Sequence, residues 1–286
     1  MKKSFMRVIA AVMAAGLLAG CGAKGDDVIT VISREEGSGT RGAFIELFGI
    51  EQKDAEGNKI DHTTDDADIT NSTSVMMTSV SGNPQAIGYI SLGSLNNTIK
   101  ALEIDNTAAT VENIKSGSYK VSRPFNIATG ANISEPAQAF IDYIMSAEGQ
   151  SVIEENGYIA VLDNAPSYAG SSVTGKVVVA GSSSVSPVME KLREAYLEVN
   201  PGAEIEIQQS DSSTGMNAVK DGVCDIGMAS RELKDSELAA GLKPMVIAMD
   251  GIAVIVNNQN PVIGLTSQQV RAIFMGEITR WSEIDD

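Results

Sequence analysis

Histidine and cysteine are almost missing from this chain: one His and two Cys in 286 residues. A His/Cys metal cluster needs more of these side chains than the sequence supplies, and a His-assisted nucleophile would have to draw on His62 alone. There is no G-x-S-x-G elbow and no P-loop Lys, so serine hydrolase and nucleotide phosphoryl-transfer chemistry lack their usual anchors. Aromatics make up 5%, and 21 Lys and Arg face 37 Asp and Glu, for a net charge of −16. Without a basic patch to neutralise phosphates, nucleic acid is excluded as a partner. What remains is an ordinary α/β composition, 43% hydrophobic and 20% charged. It is long enough for one or two domains with real cores.

The first twenty residues read as a targeting segment. Lys2, Lys3 and Arg7 form a basic start, and Val8 to Leu18 is an apolar run too short to span a bilayer comfortably. The segment ends Leu18-Ala19-Gly20-Cys21. Small residues before a Cys at this distance resemble the bacterial lipobox, in which the Cys is lipidated and becomes the first residue. Residues 21–27 are then a short polar tether. With Cys21 acylated, Cys224 has no partner for an intrachain disulfide and reads as a small core residue.

Chemistry is concentrated in three loops, each between a strand and a helix start. Val28 to Ile32 is a β-branched run followed by S-R-E-E-G-S-G-T-R (Ser33 to Arg41), after which Ala43, Phe44, Leu47 and Phe48 recur at helical spacing. Lys176 to Ala180 runs into G-S-S-S-V-S-P, with Pro187 suited to a first helical turn. Glu204 to Gln208 alternates like a half-buried strand and runs into S-D-S-S-T-G. A helix start presents N–H groups without intrahelical acceptors and the positive end of the dipole. Glycines allow close backbone approach, hydroxyls add donors, and Arg34 and Arg41 add fixed charge, which together make an oxyanion seat. The alternative for each loop alone is an ordinary capped connection. Three such loops are expected to converge on one point.

Elsewhere, Glu51 to Asp68 is strongly acidic and reads as a solvated loop holding the lone His62. Asn71 to Val80 reads as a helix with an Asn or Ser cap, and Val121 to Thr129 as an edge or crossover strand containing Pro124. Pro136 to Asn156 reads as one long amphipathic helical stretch stopped by Gly157. Met245 to Asn257 is strand-rich, and Thr266 to Phe274 is a helix with a Thr266/Gln269 capping box. Asp163 to Gly175, small, polar and aperiodic, is the clearest linker.

These stretches together resemble the phosphate-binding lipoproteins of bacterial ABC-type phosphate importers. The matching motifs are V-V-A-G-S-S-S-V-S-P, S-S-T-G-M-N-A-V, D-I-G-M-A-S-R-E-L, L-T-S-Q-Q-V-R-A-I-F-M-G-E-I-T-R-W-S-E-I, S-R-E-E-G-S-G-T-R, A-I-G-Y-I-S-L-G-S-L and S-R-P-F. Their order is unusual, since in that family the G-S-S-S-V-S-P half comes first, so the chain looks circularly permuted, with residues 163–175 joining the family's usual ends. A fragment of a tandem array is the rival reading. The resemblance implies a two-lobed, type 2 periplasmic-binding-protein-like α/β fold. Its lobes would be 26–124 plus 250–286, and 125–249, closing by a hinge. It implies that inorganic phosphate is held by Arg34, Ser38, Gly39, Thr40, Ser183, Ser184, Ser212 and Ser230. Some relatives carry an Asp after the I-G-x-S motif that accepts the proton of hydrogen phosphate; here Ser230-Arg231 stands there, and Glu36 is the candidate acceptor instead. The expected partners are phosphate, the permease subunits of the importer, and the membrane through Cys21. The expected state is a monomer without cofactor, metal or catalytic activity, on the extracytoplasmic face of a bacterial cell of Gram-positive type. The alternatives are another tetrahedral oxyanion, or a sensor without a transport role.

Overall fold

The structure is a computed structural model that describes residues 27–284. Cys21, the targeting segment and nearly all of the tether lie outside the described residues.

One mixed sheet runs through the molecule. Along its main path the strands lie in the order Ala203–Ser210, Gly175–Ser182, Ile226–Ala229, Ser122–Thr129, Lys243–Asn257, Ala86–Ser91, Thr30–Arg34 and Asp68–Thr70. The first three pair in parallel, as do the last three. Between these parallel blocks, Ser122–Thr129 and the long strand Lys243–Asn257 run antiparallel to each other. Each carries the chain from one block to the other. They meet with Arg123 opposite Asp250 in the register.

Hydrophobic burial divides at that point. One core gathers Phe44, Met76, Tyr89, Val121, Ile252, Phe274 and their neighbours. A second gathers Phe125, Phe140, Val179, Leu192, Tyr196 and Ala248, and a smaller cluster around Met216 and Leu233 adjoins that side of the sheet. Val121 and Phe125 fall on different cores although four positions apart, as do Ala248 and Ile252. Cys224 is buried in the smaller cluster, and burial pushes its thiol up to about 11, out of reach of ordinary thiolate chemistry.

Two expectations from the sequence need correction. The acidic stretch 51–68 is not merely a loop. Glu51–Lys53 and Lys59–Asp61 form a hairpin, and Asp68–Thr70 adds a parallel strand beside Thr30–Arg34. Its backbone pairs while most of its acidic side chains stay exposed, with Glu51 and Asp61 paired to Lys59 and Arg41. The long helix across 136–156 is two helices, Glu135–Ile144 and Ala147–Glu155. The break is chemical: Ser146 donates to the Tyr143 carbonyl at 2.6 Å and accepts from the Gly149 N–H at 3.2 Å, capping the second helix. Gly149 has no room for a side chain, because a methyl there would strike the Tyr143 and Ile144 carbonyls.

Near the functional end of the sheet, Phe44 stacks on Tyr89 with ring centroids 3.9 Å apart, and Phe48 and Phe274 close the cluster. The Tyr89 hydroxyl continues into polar territory: it accepts from the Arg34 N–H at 3.2 Å and bonds Ser33 Oγ at 2.9 Å. Burial pushes this phenol up to about 12, so it stays neutral. Phe44→Ala is expected to cost about 3–5 kcal/mol of stability in urea unfolding. A loss below about 1 kcal/mol would show that the aromatic cluster is not a packed unit.

Candidate functional site

Four helices begin at one place. Gly39–Leu47 is capped by Ser38, whose Oγ accepts from the Arg41 N–H. Thr73–Gly82 is capped by Ser72, and Ser212–Lys220 by Asp211. Ser186–Val199 starts just after the Ser182–Val185 turn, with Pro187 in its first turn. Each follows a strand end or a short turn, so the orphan N–H groups of four first turns are gathered at the tips of the parallel blocks.

The side chains meet there and are buried. Arg34, 2% exposed, donates from Nη2 to Ser183 Oγ at 3.1 Å. Thr40 Oγ1 lies 2.7 Å from Ser184 Oγ. Thr73 Oγ1 lies 3.4 Å from Ser183 Oγ and 3.2 Å from Ser184 Oγ. A second group sits beside this one: Ser182 Oγ donates to Ser230 Oγ at 3.0 Å, and the Ser230 N–H donates to Ser212 Oγ at 3.1 Å. Gly39 stands between the groups. A methyl at this position would land on Ser212 Oγ and come within 2.8 Å of Ser230 Oγ. Gly37 is similarly pressed against the Asp211 carboxylate, and its carbonyl accepts from the Ser213 N–H at 3.2 Å.

Of the residues singled out from sequence, Arg34, Thr40, Ser183 and Ser184 form the first group and Ser212 and Ser230 the second. Gly39 is the backbone between them, and Ser38 is buried behind it as the helix cap. Glu36 does not belong. It is exposed, and its neighbour Glu35 takes the inner position, accepting from Arg34 Nε and Nη2 at 2.7 Å each. Strand alternation accounts for the swap, since adjacent residues leave a strand end on opposite sides. Thr73 escapes a reading of the sequence because Asn71-Ser72-Thr73 carries only a capping signal, with no glycine-rich loop. Ser182 escapes it because nothing local separates its role from that of the two serines after it. His62 is exposed on the outer hairpin, away from these groups.

Chemically the place is rich in donors. A guanidinium, N–H groups of helix starts and a set of hydroxyls are buried together at the sheet's end, where each donor gains strength and each unmade bond costs more. Such an arrangement suits a small oxyanion that replaces the hydroxyl–hydroxyl contacts with stronger charge-assisted ones.

Comparison with known proteins decides the family. A model of the PBP superfamily domain matches residues 17–148 and 166–286. The phosphate-binding protein PstS 2 of Streptococcus agalactiae is 57% identical over 99% of both chains. The chain belongs to the PstS family of the PBP superfamily. A solved structure described as a phosphate ABC transporter, phosphate-binding protein from Streptococcus pneumoniae is 46% identical, covers 90% of this chain and 100% of its own, and superposes with a TM-score of 0.71. The PstS of Pseudomonas aeruginosa matches at 38% identity over only 41% of this chain and 39% of its own. The two-lobed PBP-like architecture expected from the sequence is therefore the fold of this PstS-family chain.

Gly39→Ala tests whether the two hydroxyl groups close on a ligand. The methyl would fall on Ser212 Oγ and Ser230 Oγ in this arrangement, so oxyanion affinity should drop at least tenfold by calorimetry. Unchanged affinity would mean that the groups do not meet when ligand binds.

Proposed function

We infer that this PstS-family chain captures inorganic phosphate between its two lobes and presents it to the membrane subunits of an ABC importer, without catalysing a reaction. The observation that carries this reading is the meeting of four helix N-termini and their hydroxyls around the buried guanidinium of Arg34. Arg34, Ser38, Gly39, Thr40, Ser183, Ser184, Ser212 and Ser230 supply donors, and Thr73 and Ser182 join them. The lobes correspond to 26–124 plus 250–286, and 125–249. The 57% identical relative is described as a phosphate-binding protein, which agrees with this ligand.

Proton recognition falls to Glu35. Hydrogen phosphate carries a proton that a carboxylate can accept, whereas a fully ionised sulfate meets the same carboxylate as a like charge. Glu35 is partly buried against Arg34, whose guanidinium also bonds Ser183 Oγ in the seat.

The chain is also read as a lipoprotein, cut before Cys21 and held by a lipid at the extracytoplasmic face as a monomer. Among the described residues no helix is long and apolar enough to cross a membrane. Circular permutation is supported by two features. Asp27 and the 280–282 segment lie together, with Arg280 and Ser282 both bonded to the Asp27 carboxylate and the Trp281 N–H donating to the Asp27 carbonyl. Local identity with the Pseudomonas relative stops after about two fifths of each chain, as expected where motif order differs. Asp27 and residues 280–282 being neighbours makes such a rearrangement physically easy.

Calorimetric titration with phosphate should give saturable one-site heat, and Arg34→Met should weaken it at least a hundredfold. Absence of heat with the wild type would sink the assignment. In competition against sulfate, Glu35→Gln should narrow the preference for phosphate at least tenfold while Glu36→Gln leaves it unchanged. The opposite pattern would return the acceptor role to Glu36.

A further inference from the structure

The strongest unexplained feature lies outside the anion seat, at the crossing of the two strands that join the cores. Arg123 and Asp250 are 2% and 1% exposed and form an ion pair at 3.2 Å. A fully buried pair is costly to desolvate and is a poor source of net stability. Its bonds outward are more telling. Ser91, at the end of a strand in the first core's half, donates to Asp250 Oδ1 at 2.9 Å. Arg123 Nη1 donates to the Ser230 carbonyl at 3.0 Å, and further along the same strand Asn126 Nδ2 donates to the Arg231 carbonyl at 3.0 Å. Ser230 is itself part of the second hydroxyl group of the seat. A continuous chain of polar contacts therefore runs from Ser91 on one side, through both crossover strands, to the loop that holds Ser230 on the other.

We propose that Arg123 and Asp250 are a positioning pair of the hinge, tying Ser91 to the Ser230 loop and thereby setting how far the anion seat closes. The proposal rests on the phosphate-binding reading. Rotation of one lobe against the other must strain the Arg123–Ser230 bond, because Ser91, Arg123 and Asp250 fall in the lobe of 26–124 plus 250–286 and Ser230 in the other. Ionised Asp250 holds the guanidinium at the angle from which Nη1 reaches the Ser230 carbonyl. Neutral Asp250 still accepts from Ser91 but releases that grip.

Charge on the pair is tunable. Burial pushes the Asp250 carboxyl up to about 6 against the opposing pull of Arg123 and the Ser91 bond. The groups facing it are Arg123, Ser91, the Gly93 N–H, and the phenols of Tyr119 and Tyr158, both held neutral by burial and by the Asp250 charge itself. Arg123 in turn feels the positive charge of Arg34 in the seat. The linkage has two signs. Proton uptake by folded Asp250 lends stability fully below the ordinary carboxylate value of 3.8, and this is lost as pH rises through about 6. Closure follows the opposite direction, being tightest above about 6, where the ion pair is intact.

The test compares wild type with Asp250→Asn, an isostere of the protonated state, from about pH 5 to about pH 8, a range that brackets the Asp250 titration. Taking the ratio of phosphate affinities at each pH cancels the ligand's own ionisation. The variant is expected to bind at least tenfold more weakly at the alkaline end, with the ratio falling toward one at the acid end. A ratio that is constant across this range, whatever its size, would overturn the proposal, because a merely structural role has no such profile. If Asp250→Asn does not fold, Ser91→Ala and Arg123→Lys take its place, each cutting the chain at one link, and each is expected to weaken phosphate binding at least threefold at the alkaline end. Unaltered binding in both would also overturn it. A readout without phosphate separates this idea from the function itself: small-angle scattering of the ligand-free full chain should show a larger radius of gyration at the acid end than at the alkaline end for wild type, and no pH dependence for the variant. A pH-independent wild-type radius would count against the hinge even if phosphate binds, whereas failure of wild type to bind phosphate at any pH would remove the ligand reading alone.

Discussion

A small, highly charged oxyanion keeps its water unless something replaces every hydrogen bond at once, and this requirement organises the molecule. Flexible side chains would lose rotamer freedom for each bond formed. Helix starts avoid much of that loss, because their N–H groups are already fixed and already lack partners. Serine and threonine placed in or before the first turn add hydroxyls whose positions the backbone dictates. The parallel blocks of the sheet bring these helix starts together, since every strand in a block ends on the same side. Arg34 completes the set from the end of its own strand, with its backbone N–H held by Tyr89 and its guanidinium by Glu35 and Ser183.

Two crossover strands with a shared register connect the two halves of the sheet, and the hydrophobic cores stop on either side of them. Glycine then marks where the halves touch. Gly37 lies on the Asp211 carboxylate and Gly39 on the serine hydroxyls, so backbone from one half approaches side chains of the other with no Cβ between.

Much of this is legible in the chain, for a physical reason. Glycine and hydroxyl residues between an apolar β-branched run and an amphipathic stretch combine close backbone approach with donors at a helix start, so the loops around Ser38, Ser183 and Ser212 stand out. Thr73 does not, because a three-residue Asn-Ser-Thr cap is what any helix wants and nothing local distinguishes a cap that also faces a site. The choice between Glu35 and Glu36 depends on which side the chain leaves its strand, a single-residue phase that composition does not carry. The Asp68–Thr70 strand is hidden by its acidity, since an edge strand needs backbone pairing more than apolar side chains. The break at Ser146 is masked because Met145, Val152 and Ile153 continue the apolar spacing across it, while the stop itself depends on Ser146 and Gly149. Arg123 and Asp250 cannot be paired from sequence at all: they lie on strands that become neighbours only in the folded sheet.

The net charge of −16 conflicts with anion capture only until distances are considered. Exposed carboxylates act on an approaching anion through water and salt, and their field fades within roughly 8–10 Å. The guanidinium of Arg34 is buried beside the helix starts, and a charge removed from water is worth several times more at contact. Acidity on the outside therefore slows arrival more than it weakens the bound state. It also sharpens the demand on the interior: with so much negative charge around it, the seat can admit an anion only if its own donors are complete and correctly placed. That is why the position of a single carbonyl-bearing loop at Ser230, and whatever holds it there, carries weight out of proportion to its size.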